Sequence, residues 1–118
     1  MNASKSKGTA WETAITNYLT SRGFDGIERR APQGSIDRGD IAGISGVVIE
    51  AKNHRTLALS SWLKELQLEV DNDGASLGLL CVKRRGYVSP EDAYWIIDPR
   101  HVPAVINALK AYPRLDGD

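Results

Sequence analysis

Apolar positions along this 118-residue chain follow two different periods in turn. Over 9–22, Trp11, Ile15, Tyr18, Leu19 and Arg22 recur at helical spacing with Ala14 beside them, which predicts an amphipathic helix. Thr9 is placed to cap its start, Gly23 to end it in the left-handed conformation, and Phe24 to fold back onto the last turn. A short strand is predicted over 26–30, followed by the polar loop Pro32-Gln33-Gly34-Ser35. A second strand is predicted over 37–43 and a third over 47–53, where Val47-Val48-Ile49 is β-branched throughout. Ile44-Ser45-Gly46 supplies the turn of a hairpin between them. A second helix is predicted over 60–72, with Leu59, Trp62, Leu63, Leu66 and Val70 as its stripe, Ser60 or Ser61 as cap and Gly74 as terminator. The run 77–83 reads as a fully buried strand, and 94–97 as another after a turn at Ser89-Pro90. A last helix over 102–111 carries Val105, Ile106 and Leu109. The order helix, three strands, helix, two strands, helix predicts an α/β fold: a mixed α+β sheet with helices packed against it.

Charged residues interrupt that apolar pattern at one place. Gly39-Asp40-Ile41-Ala42 and Val47-Val48-Ile49-Glu50-Ala51-Lys52 put three charges where the neighbours predict a sheet interior. Glu50 and Lys52 are two apart on one strand and share a face. Burying unpaired charges is costly, and a divalent cation would relieve that cost for the carboxylates. With residues 44–46 as a three-residue loop, Gly43 faces Val47 and Asp40 faces Glu50. A two-residue turn would put Asp40 opposite Ala51, on the wrong face. The odd loop is therefore expected, with Gly46 at its left-handed third position. Asp40 and Glu50 would offer hard oxygens to Mg²⁺, with the Ala51 carbonyl as a third ligand. Lys52 would orient an attacking water and stabilise charge on a phosphodiester. Asp37 competes with Asp40 for the ligand role. Glu12 has two readings: the acid of a capping box Thr9-Ala10-Trp11-Glu12, or a fourth member of the site.

Composition adds boundaries. With 42% hydrophobic and 25% charged residues, an ordinary globule is expected, as one domain over 1–118 with frayed ends at 1–8 and 115–118. Cys81 sits in an apolar run and, as the one cysteine, reads as a small buried hydrophobe. No apolar stretch is long enough to span a membrane and no leader is evident, so a cytoplasmic protein is expected. Net charge is zero, but residues 1–64 carry nine Lys/Arg against six Asp/Glu, and residues 65–118 carry six against nine. Lys5, Lys7, Arg29, Arg30, Arg38, His54 and Arg55 flank the proposed site and are candidate phosphate contacts. The segment Lys52-Asn53-His54-Arg55 is the strongest of these, because it leaves the charged strand directly. Lys83-Arg84-Arg85-Gly86-Tyr87 is a second candidate phosphate-binding turn. Trp62 and Trp95 fit the apolar periodicity and are expected in the core or in a dimer contact.

Together, Glu12 on the first helix, Asp40 on the second strand and Glu50-Ala51-Lys52 on the third resemble the PD-(D/E)XK nuclease superfamily. The resemblance covers roughly 9–83 and implies a restriction-endonuclease-like core, helix–three strands–helix–strand. Small size and compact spacing look most like the archaeal-type Holliday junction resolvases and their phage relatives. Gly39 stands where the superfamily pattern has proline. The resemblance implies a homodimer that cuts four-way DNA junctions with Mg²⁺ or Mn²⁺ in a bacterial, archaeal or phage-infected cell. It also implies a catalytic role for Ser35. The alternatives are a restriction-like or repair nuclease acting on linear or flap DNA, and a non-catalytic DNA-binding module with the same fold. Nothing in the chain reads base edges, which favours recognition of DNA shape.

Overall fold

The computed structural model describes residues 3–30 and 39–112, with side chains from residue 7 onward. In chain order its elements are α1 (Ala3–Ser21), β1 (Glu28–Arg29), β2 (Ile41–Ala42), β3 (Val47–Lys52), α2 (Leu59–Asp73), β4 (Leu77–Val82), β5 (Tyr94–Ile97) and α3 (Val102–Lys110). Short 3-10 turns at Pro90–Asp92 and Pro99–His101 flank β5. The strands form one mixed sheet in the order β1-β2-β3-β4-β5. The pairs β1–β2, β2–β3 and β4–β5 are antiparallel, and β3–β4 is parallel because α2 carries the chain back between them. The expected α/β class with a mixed sheet and three helices is what forms.

Side chains alternate across β3, and each face meets a different helix. Val48 packs with Trp62, Leu66 and Val70 of α2 and with Leu80 and Val82 of β4. Ile49 packs with Trp11, Ile15 and Leu19 of α1, and with Ile41 and Cys81. Three layers result, helix–sheet–helix, with β3 buried on both sides. The Trp11 indole donates to the Cys81 carbonyl at 3.0 Å and ties α1 to β4. Cys81 is fully buried as expected, and burial pushes its thiol well above the ordinary range. No helix among the described residues is long and apolar enough to cross a membrane.

The structure corrects several local expectations. The first helix begins at Ala3, so Thr9 lies inside α1 and caps nothing. The capping-box reading of Glu12 falls with it. Ser60 and Ser61 lie within α2; its N-cap is Ala58, which makes no side-chain cap bond. The second strand pairs only over Ile41–Ala42, and Asp40 stands in a bend before it. Helix α3 buries none of its residues, so the apolar face of Ile106 and Leu109 is exposed rather than packed. Lys5, Ser35, Asp37 and Arg38 fall outside the described side chains.

Candidate functional site

The hairpin sets the geometry. Ile41 pairs with Ile49, the register that a three-residue loop requires, and Gly46 takes φ +79° at the loop's third position. Counting one residue out in that register brings Asp40 level with Glu50. The Asp40 N–H donates to the Ile49 carbonyl at 3.0 Å, one residue out of step with the ladder, as at a β-bulge. The Asp40 carboxylate accepts the Ala51 N–H at 2.9 Å, so this acid is anchored across the hairpin. The Ala51 peptide therefore meets Asp40 through its N–H.

Glu50 and Lys52 share the β3 face that α2 covers. Glu50 is 3% exposed, and its Oε2 lies 3.5 Å from the Lys52 ammonium. Its Oε1 is buried with no hydrogen-bond partner among the described residues. Lys52 reaches Glu65 of α2 at 2.8 Å and sits 5.8 Å from the centre of the Trp62 ring. Carboxylate oxygens of Glu50, Glu65 and Glu69 lie within 4.8 Å of one another, and this group could hold a metal ion. Hard oxygen donors at such spacing suit a divalent cation.

Charge in this place is strongly shaped by burial. Burial raises the Glu50 carboxyl far above its ordinary range, helped by the neighbouring Glu65 and Asp40 carboxyls and by the charge of Glu69. Glu65 is held low, first by the Glu50 carboxyl beside it and then by Lys52. Burial alone would lower the Lys52 ammonium, but the Glu65 bond and the charges of Glu50, Glu65 and Asp40 outweigh it and leave it raised. Lys52 therefore stays cationic at neutral pH.

Glu12 approaches from α1, on the other face of the sheet. It accepts from Arg29 Nε at 3.0 Å. Burial and the charge of Asp40 raise its carboxyl, against the opposing effect of Arg29. The structure thus brings Glu12 within electrostatic reach of Asp40. Arg30 lies 3.9 Å from Asp73, and neither Arg29 nor Arg30 is free of an acidic partner.

The remaining basic candidates gather elsewhere. Asn53, His54 and Arg55, leaving β3, meet Lys83, Arg84 and Arg85, leaving β4. With Lys7 of α1 they line a single cavity. His54 also packs at a tilt against Trp62, with ring centres 5.3 Å apart. Trp62 is a core residue and Trp95 packs on the α1-side core, as periodicity predicted.

Glu65 and Glu69 are the site residues that sequence reasoning missed. A signal was present: Glu69 stands seven residues after Trp62 and three after Leu66, on the apolar stripe of α2. An acid on a buried stripe marks a site in the same way as Glu50 does on β3. No protein-family model, no curated protein and no solved structure matches this chain.

Proposed function

We propose that this chain is a divalent-metal-dependent DNA endonuclease of the PD-(D/E)XK kind, with a restriction-endonuclease-like core, and that its substrate is a branched DNA such as a four-way junction. The observation that carries the reading is the meeting of Glu50, Glu65 and Glu69, with the half-buried Lys52 bridging Glu50 and Glu65 and with Asp40 anchored across the hairpin. A buried carboxylate oxygen without a partner among the described residues, Glu50 Oε1, fits a cation ligand. Asp40, Glu50 and the two α2 acids would hold Mg²⁺, or Mn²⁺ in its place, with Glu12 supporting from the Asp40 side. The ion would acidify water and polarise a phosphoryl oxygen. Lys52 keeps its proton and is placed to hold the scissile phosphate and to stabilise the negative charge that grows on it. Glu65 holds Lys52 in position. We further propose that the enzyme works as a homodimer, since opposed cuts across a junction need two such sites.

The test is incubation with Mg²⁺ and a labelled immobile four-way junction beside linear duplex and flap controls. Paired nicks near the crossover are expected. Cutting of linear or flap DNA alone would replace the junction reading with a repair or restriction-like nuclease. Asp40→Asn and Glu50→Gln are expected to abolish cleavage and leave DNA binding intact; normal cutting by either would remove the metal site as drawn.

A further inference from the structure

The carboxyl ends of the parallel pair β3–β4 open onto a cavity of about 220 Å³. In open α/β sheets this end is where ligands are received. Among the described residues, five Lys and Arg line the cavity and no acid does, although the formal net charge of the chain is zero. A concave wall of one sign concentrates its field on an anion. Lys7, Arg55, Lys83 and Arg85 make no salt bridge or side-chain hydrogen bond to another described residue. Arg84 has another task. Its guanidinium lies 3.9 Å from the Tyr87 ring centre and 5.3 Å from that of Tyr94, and it donates to the Asp92 carbonyl at 3.2 Å. These contacts fix the turn that presents Lys83 and Arg85.

The cavity adjoins the proposed site through the backbone. Asn53 follows Lys52 directly, so their Cα atoms are ~3.8 Å apart. The Lys83 N–H donates to the Lys52 carbonyl at 2.9 Å, which locks the two strand ends together. A ligand that reaches both Lys52 and this cavity must carry anions at short, regular spacing. A nucleic-acid strand does so, one phosphate per nucleotide. We infer that the cavity seats a backbone phosphate of the strand being cut, next to the phosphate held at Lys52, and so sets the strand's path and register through the site. This inference rests on the nuclease reading above.

The experiment compares the wild-type chain, Arg55→Ala/Arg85→Ala, Asp40→Asn and the control Lys110→Ala, a cation outside the cavity. Arg55 and Arg85 are both exposed, so the double variant is expected to fold, with circular dichroism as the check. Binding of a fluorescein-labelled single-stranded oligonucleotide is measured across a salt series. The double variant is expected to bind more weakly, with the log–log salt slope lower by about 0.7 for each cation removed. Lys110→Ala is expected to keep the wild-type slope, and Asp40→Asn serves as the non-cleaving comparison. A second arm places one neutral methylphosphonate at successive positions around the scissile bond. Neutralising the phosphate beside it should slow wild-type cleavage and have no added effect in the double variant. Equal affinity and salt slope in the double variant and wild type would overturn the inference, as would no oligonucleotide binding by wild type. Cavity-dependent binding by a wild-type chain that cuts no DNA supports the cavity and removes the nuclease reading, so the two fail separately.

Discussion

Glu50 and Asp98 are both buried carboxyls, and their surroundings push them in opposite directions. Burial and neighbouring carboxyls raise Glu50, so its charged form disfavours the metal-free fold. A raised carboxyl contributes stability below its unfolded pKa of about 4.3, and that stability is lost as pH rises above it. In EDTA, the urea-unfolding free energy is therefore expected to fall with pH above that value, by at most about 1.4 kcal/mol per pH unit from this group. Glu50→Gln should flatten the slope and stabilise the metal-free protein at neutral pH, even as it abolishes cleavage; an unchanged slope would mean Glu50 is not the strained group. Burial alone would also raise Asp98, but the side chain and N–H of Arg100, with Gln67, outweigh it and hold Asp98 low. Its contribution is present above the unfolded value of about 3.9 and is lost as pH falls through the folded one. Asp98→Asn is expected to cost about 1–3 kcal/mol by urea unfolding at neutral pH. The cost falls below that of breaking a fully buried ion pair because the Arg100 side chain is 43% exposed.

The β2–β3 hairpin shows what a single backbone angle does to an element. Gly39 takes φ +93°, and a Cβ there would stand 2.8 Å from Val48 Cγ1 and 3.2 Å from the Ile49 carbonyl. Proline is fixed near −65° and cannot adopt that angle, so the proline of the proposed superfamily's pattern could not stand at 39 in this conformation. Gly39→Ala should displace Asp40 from the Ala51 N–H and lower junction cleavage roughly 100-fold with little change in DNA affinity. Cleavage within a factor of two of wild type would show that Asp40 does not depend on this bend. The loop length and register of this hairpin followed from sequence parity, because one residue more or less would reverse every side chain. The bend at Asp40 did not, because positive φ at glycine leaves no mark in a hydrophobic pattern. The α2 acids were missed for a related reason. Their position on the stripe is visible, but only packing on β3 turns helix residues into neighbours of Glu50 and Lys52.

Across the whole chain, zero net charge conceals two local excesses: acids where β3 meets α2, and cations at the ends of β3 and β4. The apolar surface is unevenly placed as well. In α3, Val102 is 38%, Ile106 52% and Leu109 68% exposed, although its pattern reads as that of a packed helix. The proposed homodimer needs such a face. Ile106→Asp/Leu109→Asp is expected to sediment as a monomer at concentrations where wild type is a dimer, with unfolding free energy of the monomer unchanged within about 0.5 kcal/mol. A monomeric wild type would remove the homodimer proposal.

The sequence by itself determined the element order, the hairpin register, the buried tryptophans of the core and the shared face of Glu50 and Lys52. Each of these depends on local periodicity, which is set by the covalent geometry of helices and strands. Only the tertiary structure decided that Glu12 belongs with Arg29 and Asp40 rather than with a helix cap. It also decided that Glu65 and Glu69 join Glu50, and that seven scattered basic and polar candidates line one cavity. Those are contacts between elements far apart in the chain, and they exist only once the sheet has fixed which helix covers which face.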